Sequence, residues 1–142
     1  MARLNPYLSF ASQARQALEF YQSVLGGKLT ISEFSTVPEV AKMLTDPADA
    51  NLVMHGQLDT PAGLTIMAAD TGSAVPYVAP TSGVTVALTG GPADHEYIQA
   101  AFDRLSEGAT PGVPFALAPW GDHYGQLTDK FGISWMFDVS AQ

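Results

Sequence analysis

Two stretches of this sequence repeat one another at an offset of 69 residues. The first is HGQLDTPAGLTIM, residues 55–67, and the second is YGQLTDKFGISWM, residues 124–136. The identical pairs are Gly56/Gly125, Gln57/Gln126, Leu58/Leu127, Gly63/Gly132 and Met67/Met136. In each stretch β-prone residues flank a turn that contains glycine, which predicts a strand, a turn and a second strand. The repeat therefore predicts a chain built from one module used twice.

The first half of the chain begins with a predicted strand and a predicted helix. Apolar residues at helical spacing predict the buried face of this helix. These residues are Ala14, Ala17, Leu18, Tyr21 and Leu25. Ser12 is the predicted N-cap, and Gly26 with Gly27 predicts the end of the helix. The predicted strands are 4–10, 28–34, 52–59 and 64–69, with a short helix at 37–44.

The second half follows the same order. A strand is predicted at 83–89, and a helix begins near Pro92 or Asp94 and ends before Gly108. The apolar face of this helix is Ile98, Ala101, Phe102 and Leu105. A strand at 113–118 and a hairpin at 120–139 complete a second β-α-β-β-β module. We therefore predict an α+β fold in one domain, 1–142, with modules at about 1–70 and 83–142 and a linker at 71–82.

The charge and composition exclude several classes of protein. The net charge is −8, and an acidic surface repels phosphate backbones, so we expect no nucleic-acid partner. The chain has no cysteine, which excludes disulfides and thiol catalysis and favours a cytoplasmic setting. Since no stretch approaches 18 apolar residues and the N-terminus has no long apolar segment, we expect a soluble, unprocessed protein without a membrane partner.

Several motifs resemble the PhnB-like branch of the vicinal oxygen chelate superfamily, which includes glyoxalase I, bleomycin-resistance proteins and extradiol dioxygenases. They are Asn5-Pro6-Tyr7-Leu8, Ala17-Leu18-Glu19-Phe20-Tyr21, Leu25-Gly26-Gly27, Val53-Met54-His55, Trp120-Gly121, Tyr124-Gly125, Asp129-Lys130-Phe131-Gly132 and Trp135-Met136. The resemblance implies a curved mixed sheet of eight strands around a cleft, with helices on the outer faces. It also implies a homodimer.

The resemblance bears on metal binding as well. Metal enzymes of this superfamily carry His and Glu ligands on the first and last strand of each module. The corresponding positions here are Pro6, Met67, Met136 and Thr85 or Val86. None is a good ligand for a hard or borderline divalent metal, so we predict neither a metal nor another cofactor. The alternative is a relocated metal site made from His55, His123, Asp122 and Glu33.

Strand alternation predicts which side chains face the cleft. Leu64, Ile66 and Ala68, and Ile133, Trp135, Phe137 and Val139, are expected to pack under the helices. The opposite positions form an amphipathic pocket suited to a small organic ligand. They are His55, Gln57, Thr65, Met67, Trp120, Asp122, Tyr124, Gln126, Ser134, Met136 and Asp138.

Individual roles follow from residue chemistry. His55 is the best single candidate for acid–base catalysis because imidazole titrates near neutral pH, but a cleft histidine that only forms hydrogen bonds is the favoured interpretation. We expect His95 to be solvated and His123 to lie at the surface or in a dimer interface. Asp129 is predicted to brace the second hairpin turn. Trp135 is expected in the core, whereas Trp120 fits packing and ligand contact about equally.

Three functions remain open from the sequence. The favoured one is binding of a small organic ligand without the metal quartet, and the acidic balance favours a cationic ligand. The second is a metal-dependent lyase or dioxygenase-type enzyme with a divergent site. The third is a dimeric interaction module without a small ligand. Some PhnB-like proteins carry a demethylubiquinone methyltransferase label, but no part of this sequence resembles a methyl-donor site.

Overall fold

The chain folds into two compact units, Met1–Ala79 and Pro80–Gln142, in a computed structural model that describes residues 1–73, 76–80 and 82–142. Each unit contains a four-stranded mixed sheet, and a helix of 11 or 12 residues follows the first strand. The predicted α+β class and the β-α-β-β-β order of both halves are confirmed. The single curved sheet around a cleft depends on both units together and stays a prediction.

The sheet of the first unit has the strand order β1-β4-β3-β2. Strand β1 runs parallel to β4, and the other neighbours are antiparallel. The elements are β1 (Tyr7–Phe10), α1 (Ala14–Leu25), β2 (Lys28–Glu33), α2 (Pro38–Ala41), β3 (Val53–Asp59) and β4 (Thr65–Asp70). The predicted start of the first strand at residue 4 is wrong, because Leu4 is fully exposed and β1 begins at Tyr7.

Helix α1 buries the five apolar residues that the spacing predicts, from Ala14 to Leu25. Its end at Gly26 is confirmed, where φ is 75° and the backbone N–H donates to the carbonyl of Gln22. The predicted N-cap Ser12 is wrong. Instead, the buried carboxylate of Asp70, at the end of β4, accepts the Ala14 N–H at 2.9 Å. The same carboxylate accepts the Val53 N–H at 2.9 Å, so it joins α1 to the start of β3.

The second unit repeats this topology with the strand order β5-β8-β7-β6. Strand β5 runs parallel to β8, and β8 and β6 flank β7 in antiparallel pairs. The elements are β5 (Val86–Gly90), α3 (His95–Leu105), β6 (Thr110–Leu117), β7 (His123–Thr128) and β8 (Ser134–Val139). Three of the four predicted core residues of α3 are buried, and Phe102 is half-buried.

The two hairpins have the same register, as the sequence repeat predicts. Gln57 pairs with Met67 across β3 and β4, and Gln126 pairs with Met136 across β7 and β8. Both turns close through a glycine with positive φ, at 81° in the first and 87° in the second, a conformation that glycine adopts cheaply. The repeat therefore extends to the backbone of the turns.

The core of each unit lies between its helix and one face of its sheet. In the second unit Trp135, Phe137 and Val139 alternate with half-buried residues along β8, as predicted. In the first unit Ile66 and Ala68 are buried, but Leu64 is 38% exposed, whereas its repeat partner Ile133 is buried. The inward position predicted for Leu64 is therefore wrong.

The predicted linker, residues 71–82, spans the boundary between the units, and residues 74, 75 and 81 of it lie outside the described part of the chain. Within the described residues, no helix is long and apolar enough to cross a membrane.

Candidate ligand-binding faces of the two sheets

The candidate residues of the first unit share the sheet face that points away from the buried core. Along β3, His55 and Gln57 alternate with the buried Gly56 and Leu58. Met67 of β4 lies between Gln57 of β3 and Tyr7 of β1. His55 is half-buried, and its ring centroid lies 5.8 Å from that of Tyr7. This first open face therefore brings together the predicted His55, Gln57 and Met67, and it adds Tyr7.

One end of the first open face carries a carboxylate that sequence reasoning did not select. The amide of Gln57 donates to both oxygens of Asp59, at 3.1 and 2.9 Å, and the hydroxyl of Thr65 donates at 2.9 Å. These two donors, and less strongly the charges of Arg3 and Lys28, hold the pKa of Asp59 below its usual range. The amide of Gln57 is thus already engaged. Beside it, a polar cavity of about 310 Å³ is lined by residues that include Arg3, Asp59 and Thr65.

The second unit carries the equivalent face on its own sheet. Tyr124 and Gln126 of β7 lie opposite Asp138 and Met136 of β8, and all but the exposed Gln126 are half-buried. The Gln126 amide donates to the Tyr124 hydroxyl at 2.5 Å. At the start of β8, the hydroxyl of Ser134 shares a hydrogen bond of 3.0 Å with the hydroxyl of Thr85. This second open face therefore brings together the predicted Tyr124, Gln126, Ser134, Met136 and Asp138.

Trp120 and Asp122 belong to the turn that leads from β6 into β7. The Trp120 side chain is 64% exposed, and its ring meets that of Tyr124 edge-on at a centroid distance of 5.6 Å. One oxygen of Asp122 accepts the Ala141 N–H at 3.0 Å. Burial, and then the charge of Asp122, raises the pKa of Asp138 above its usual range. The turn thus places an indole and a carboxylate at the Tyr124 end of the second open face.

The helix side of the second sheet holds two features that the sequence analysis assigned wrongly or missed. His95, expected to be solvated, is half-buried and packs edge-on against His123 at a centroid distance of 4.6 Å. His123 is also half-buried, because its parity in β7 directs it toward the start of α3. Nearby, an apolar cavity of about 230 Å³ lies between Phe102 and the edge strand β6 around Val113. Two irregularities in the β6 register accompany it, and no sequence pattern predicted them.

The residues do not fit the metal centre of the superfamily's enzymes. Pro6 carries no donor side chain, and the thioethers of Met67 and Met136 are poor ligands for a hard divalent ion. Within residues 1–73, 76–80 and 82–142, no three His, Asp or Glu side chains are grouped to hold a metal ion. In the alternative set, Glu33 is instead paired with Arg15 at 2.6 Å. That the protein works without a metal or another cofactor stays a prediction.

The predicted cleft combines residues of both units, and its closure into one site stays a prediction, as does the catalytic role of His55. Within each unit, the predicted residues that lie in strands do share one face, but the strand position predicted for Trp120 and Asp122 is wrong, because β7 begins at His123. These faces are chemically mixed, since each offers a thioether, an amide and an aromatic ring.

Solved structures with this architecture identify the class of protein. The crystal structure of protein PA1353 from Pseudomonas aeruginosa superposes with a TM-score of 0.81 at 28% identity and covers 99% of this chain and 98% of that one. A PhnB protein from Bacillus cereus has a TM-score of 0.67 at 24% identity, over 98% of this chain and 100% of that one. A member of the glyoxalase/bleomycin resistance protein/dioxygenase superfamily from Sphaerobacter thermophilus scores 0.55 at 19% identity, over 99% of each. The chain therefore has the glyoxalase/bleomycin-resistance fold.

The sequence narrows this class to a family. Residues 2–137 match the family described as 3-demethylubiquinone-9 3-methyltransferase, and the chain belongs to it. Protein YjdN of Escherichia coli (strain K12) is 29% identical over 150 residues, which cover 98% of this chain and 96% of that protein. The PhnB-like assignment made from the sequence motifs is confirmed.

Proposed function

We propose that this protein binds a small organic molecule against the open faces of its sheets. The observation that carries the proposal is the duplicated glutamine–methionine pair, Gln57 with Met67 and Gln126 with Met136, at one register on both faces. A pair that served only to stabilise a hairpin could be replaced by many cross-strand pairs. Keeping an amide beside a thioether in both halves suits a ligand with apolar area and a few polar groups.

The residues around each glutamine–methionine pair indicate the chemistry of the ligand. The first face adds the imidazole of His55 and the phenol of Tyr7, and the second adds the phenol of Tyr124 and the hydroxyl of Ser134. The aromatic and thioether groups would contact apolar parts of the ligand, and the polar groups would fix its orientation. The net charge of −8 favours an uncharged or cationic ligand over an anionic one.

A fragment screen by NMR on the labelled full chain tests the proposal. We expect bound fragments to perturb the amides of Gln126 and Met136, those of Gln57 and Met67, or both sets. Met136→Ala should weaken binding at the second face about threefold to tenfold, because it removes a large part of the apolar contact area. The matched control is Met43→Ala, since Met43 is 76% exposed outside both sheets. Perturbations confined to helices and loops, or none at all, would argue against the proposal.

A homodimer, which the resemblance implies, is part of this proposal. The edge strand β6 presents Val113 at 44% exposure and Leu117 at 66%, and a second copy would cover such apolar side chains. Light scattering should then give twice the chain mass of 15.0 kDa, and Leu117→Glu should shift the equilibrium toward the monomer. A dimer that binds no fragment would instead favour the hypothesis that the protein is a dimeric interaction module.

No observation on the described residues favours the alternative of a metal-dependent lyase or dioxygenase-type enzyme. The methyl transfer named in the family's description needs a site for a methyl donor, and no stretch of this sequence resembles one. Ligand binding without a resident metal is therefore the function that the geometry supports best.

A further inference from the structure

The Tyr124 end of the second open face combines aromatic rings with carboxylates. We propose that Trp120, Asp122, Tyr124 and Asp138, the cation site, bind a protonated amine or quaternary ammonium group. The inference rests on the proposed function and names the ligand class for one of its two faces. Each component of the cation site contributes to the argument separately.

The aromatic component is an exposed tryptophan ring that packs at a steep angle against a tyrosine ring. Trp120 is 64% exposed although it stands next to Tyr124, with 5.6 Å between ring centroids and 68° between ring planes. Two rings at this angle form two walls of a corner. A cation in such a corner meets the negative face of at least one ring, and a tryptophan face is the strongest side-chain partner for an organic cation.

The acidic component is a carboxylate without a partner. Asp138 lies directly opposite Tyr124 in the β7–β8 pair, so their Cβ atoms are about 5 Å apart. Asp138 is half-buried, and within the described part of the chain its carboxylate has no side-chain hydrogen bond or ion pair, although its backbone pairs with β5 and β7. Asp122 is close enough for its charge to act on Asp138. The site therefore concentrates negative charge that the rest of its unit leaves unneutralised.

The basic residues of the second unit lie elsewhere. They are Arg104, in the last turn of α3, and Lys130, in the turn between β7 and β8. Lys130 stands at the far end of β7 from Asp122, and a strand of six residues spans about 20 Å. At that separation the charges are largely screened by salt. A cationic ligand would supply the positive charge that no basic side chain among the described residues of this unit provides near Asp122 and Asp138.

The arrangement also predicts a pH dependence. Burial and the charge of Asp122 raise the pKa of Asp138, and a bound cation would lower that pKa again by favouring the carboxylate. Of the groups facing Asp138, the neighbour on β7 is Tyr124, the turn supplies Asp122, and β5 offers Thr89, which does not titrate. Cation affinity should therefore fall as the pH is lowered and Asp138 takes up a proton.

The test compares two probes of the same shape. Choline carries a quaternary ammonium group, and 3,3-dimethylbutan-1-ol replaces its nitrogen with carbon. Titrated into the full chain and followed by NMR, choline should perturb Tyr124 and Asp138 and bind about tenfold or more tightly than the alcohol. Asp138→Asn and Trp120→Leu should each weaken choline binding by about tenfold or more. The control Glu107→Gln, which makes the same change of net charge at an exposed site, should leave it unchanged.

The outcomes separate this inference from the proposed function. Equal binding of choline and the alcohol at this face would overturn the cation site and leave ligand binding standing. If neither probe binds but screened fragments still bind the sheet faces, the cation site is likewise overturned and ligand binding stands. A loss of choline binding in Glu107→Gln equal to that in Asp138→Asn would show non-specific attraction and would also overturn the cation site. Failure of every fragment and both probes would remove both proposals.

Discussion

Asp129 holds the turn between β7 and β8 with both oxygens of its side chain. One of its oxygens accepts the N–H groups of Phe131 and Ile133, at 2.8 and 3.1 Å, and the other accepts the indole N–H of Trp135 at 2.9 Å. The sequence predicted that Asp129 braces this turn, and that prediction is confirmed. The contact with Trp135 was not foreseen, and it links the turn to the core. In the first hairpin Thr60 holds the equivalent position, and its hydroxyl accepts the Leu64 N–H at 3.1 Å.

Replacing these two residues by alanine should therefore have unequal effects on stability. Asp129→Ala removes the buried acceptor of the Phe131 and Ile133 N–H groups and of the Trp135 indole, and it should lower the free energy of unfolding by about 3 kcal/mol. Thr60→Ala removes one neutral acceptor and should cost about 1 kcal/mol. Urea unfolding followed by circular dichroism measures both. Equal losses would mean that the Phe131 and Trp135 contacts together contribute nothing.

Asp49 gives the stability of the first unit a dependence on pH. The Ser73 hydroxyl donates to Asp49 at 2.5 Å and the Ser73 N–H donates at 2.8 Å, and the hydroxyl is the larger cause of the lowered pKa of Asp49. A carboxyl whose pKa is lower in the folded state stabilises the protein above the pKa of the unfolded chain. This contribution is lost as the pH falls through the folded pKa. The contact between Asp49 and Ser73 should therefore weaken in acid.

Ser73→Ala should raise the pKa of Asp49 toward its usual range, because the largest stabilising donor to the carboxylate is removed. Carboxyl carbon NMR shifts followed through an acid titration measure this directly. The pKa of Asp59, which depends on Gln57 and Thr65, should not move and serves as the internal control. If the pKa of Asp49 does not change in Ser73→Ala, the Ser73 backbone N–H alone is sufficient to stabilise the carboxylate.

At the scale of elements, helix α1 is capped from the far end of its own module. Asp70 receives the Ala14 N–H across 56 residues of sequence and the Val53 N–H across 17. Asp70→Ala should lower the free energy of unfolding by about 3 kcal/mol, because it leaves two buried N–H groups without acceptors. Ser12→Ala should change stability by less than about 0.5 kcal/mol, although Ser12 has the residue type of an N-cap. Chemical unfolding of both variants checks this, and a larger loss at Ser12 would contradict it.

The elements that could be predicted are those fixed by local patterns. The buried face of α1 follows from helical spacing, and both hairpins follow from the repeat and its glycines. Long-range partners could not be predicted, since nothing near Ala14 in sequence indicates Asp70. Leu64 shows the limit of alternation, because it is 38% exposed while its repeat partner Ile133, which has the same parity, is 7% exposed. The faces of the candidate residues could be predicted within a strand, but the half-burial of His95 depends on how α3 meets β7.

At the scale of the whole molecule, the histidines determine the expected metal content. His55 lies in the first unit beside Tyr7, whereas His95 and His123 contact each other in the second. No carboxylate of the described residues completes a metal site with these two imidazoles, which provide at most half of a tetrahedral zinc site. We therefore expect metal binding, if forced by excess zinc, to be weak and to depend on this histidine pair.

Metal analysis of the untagged chain, before and after loading with divalent ions and dialysis, tests that expectation. We expect well below one metal ion per chain in both samples, because two neutral donors leave most of the coordination shell to water. Residual zinc, if measured, should disappear in His123→Ala and persist in His55→Ala. A full equivalent of metal that His55→Ala abolishes would instead place a metal at the first open face. The mixed chemistry of that face would then have to be interpreted as an enzyme's substrate pocket rather than as a binding surface.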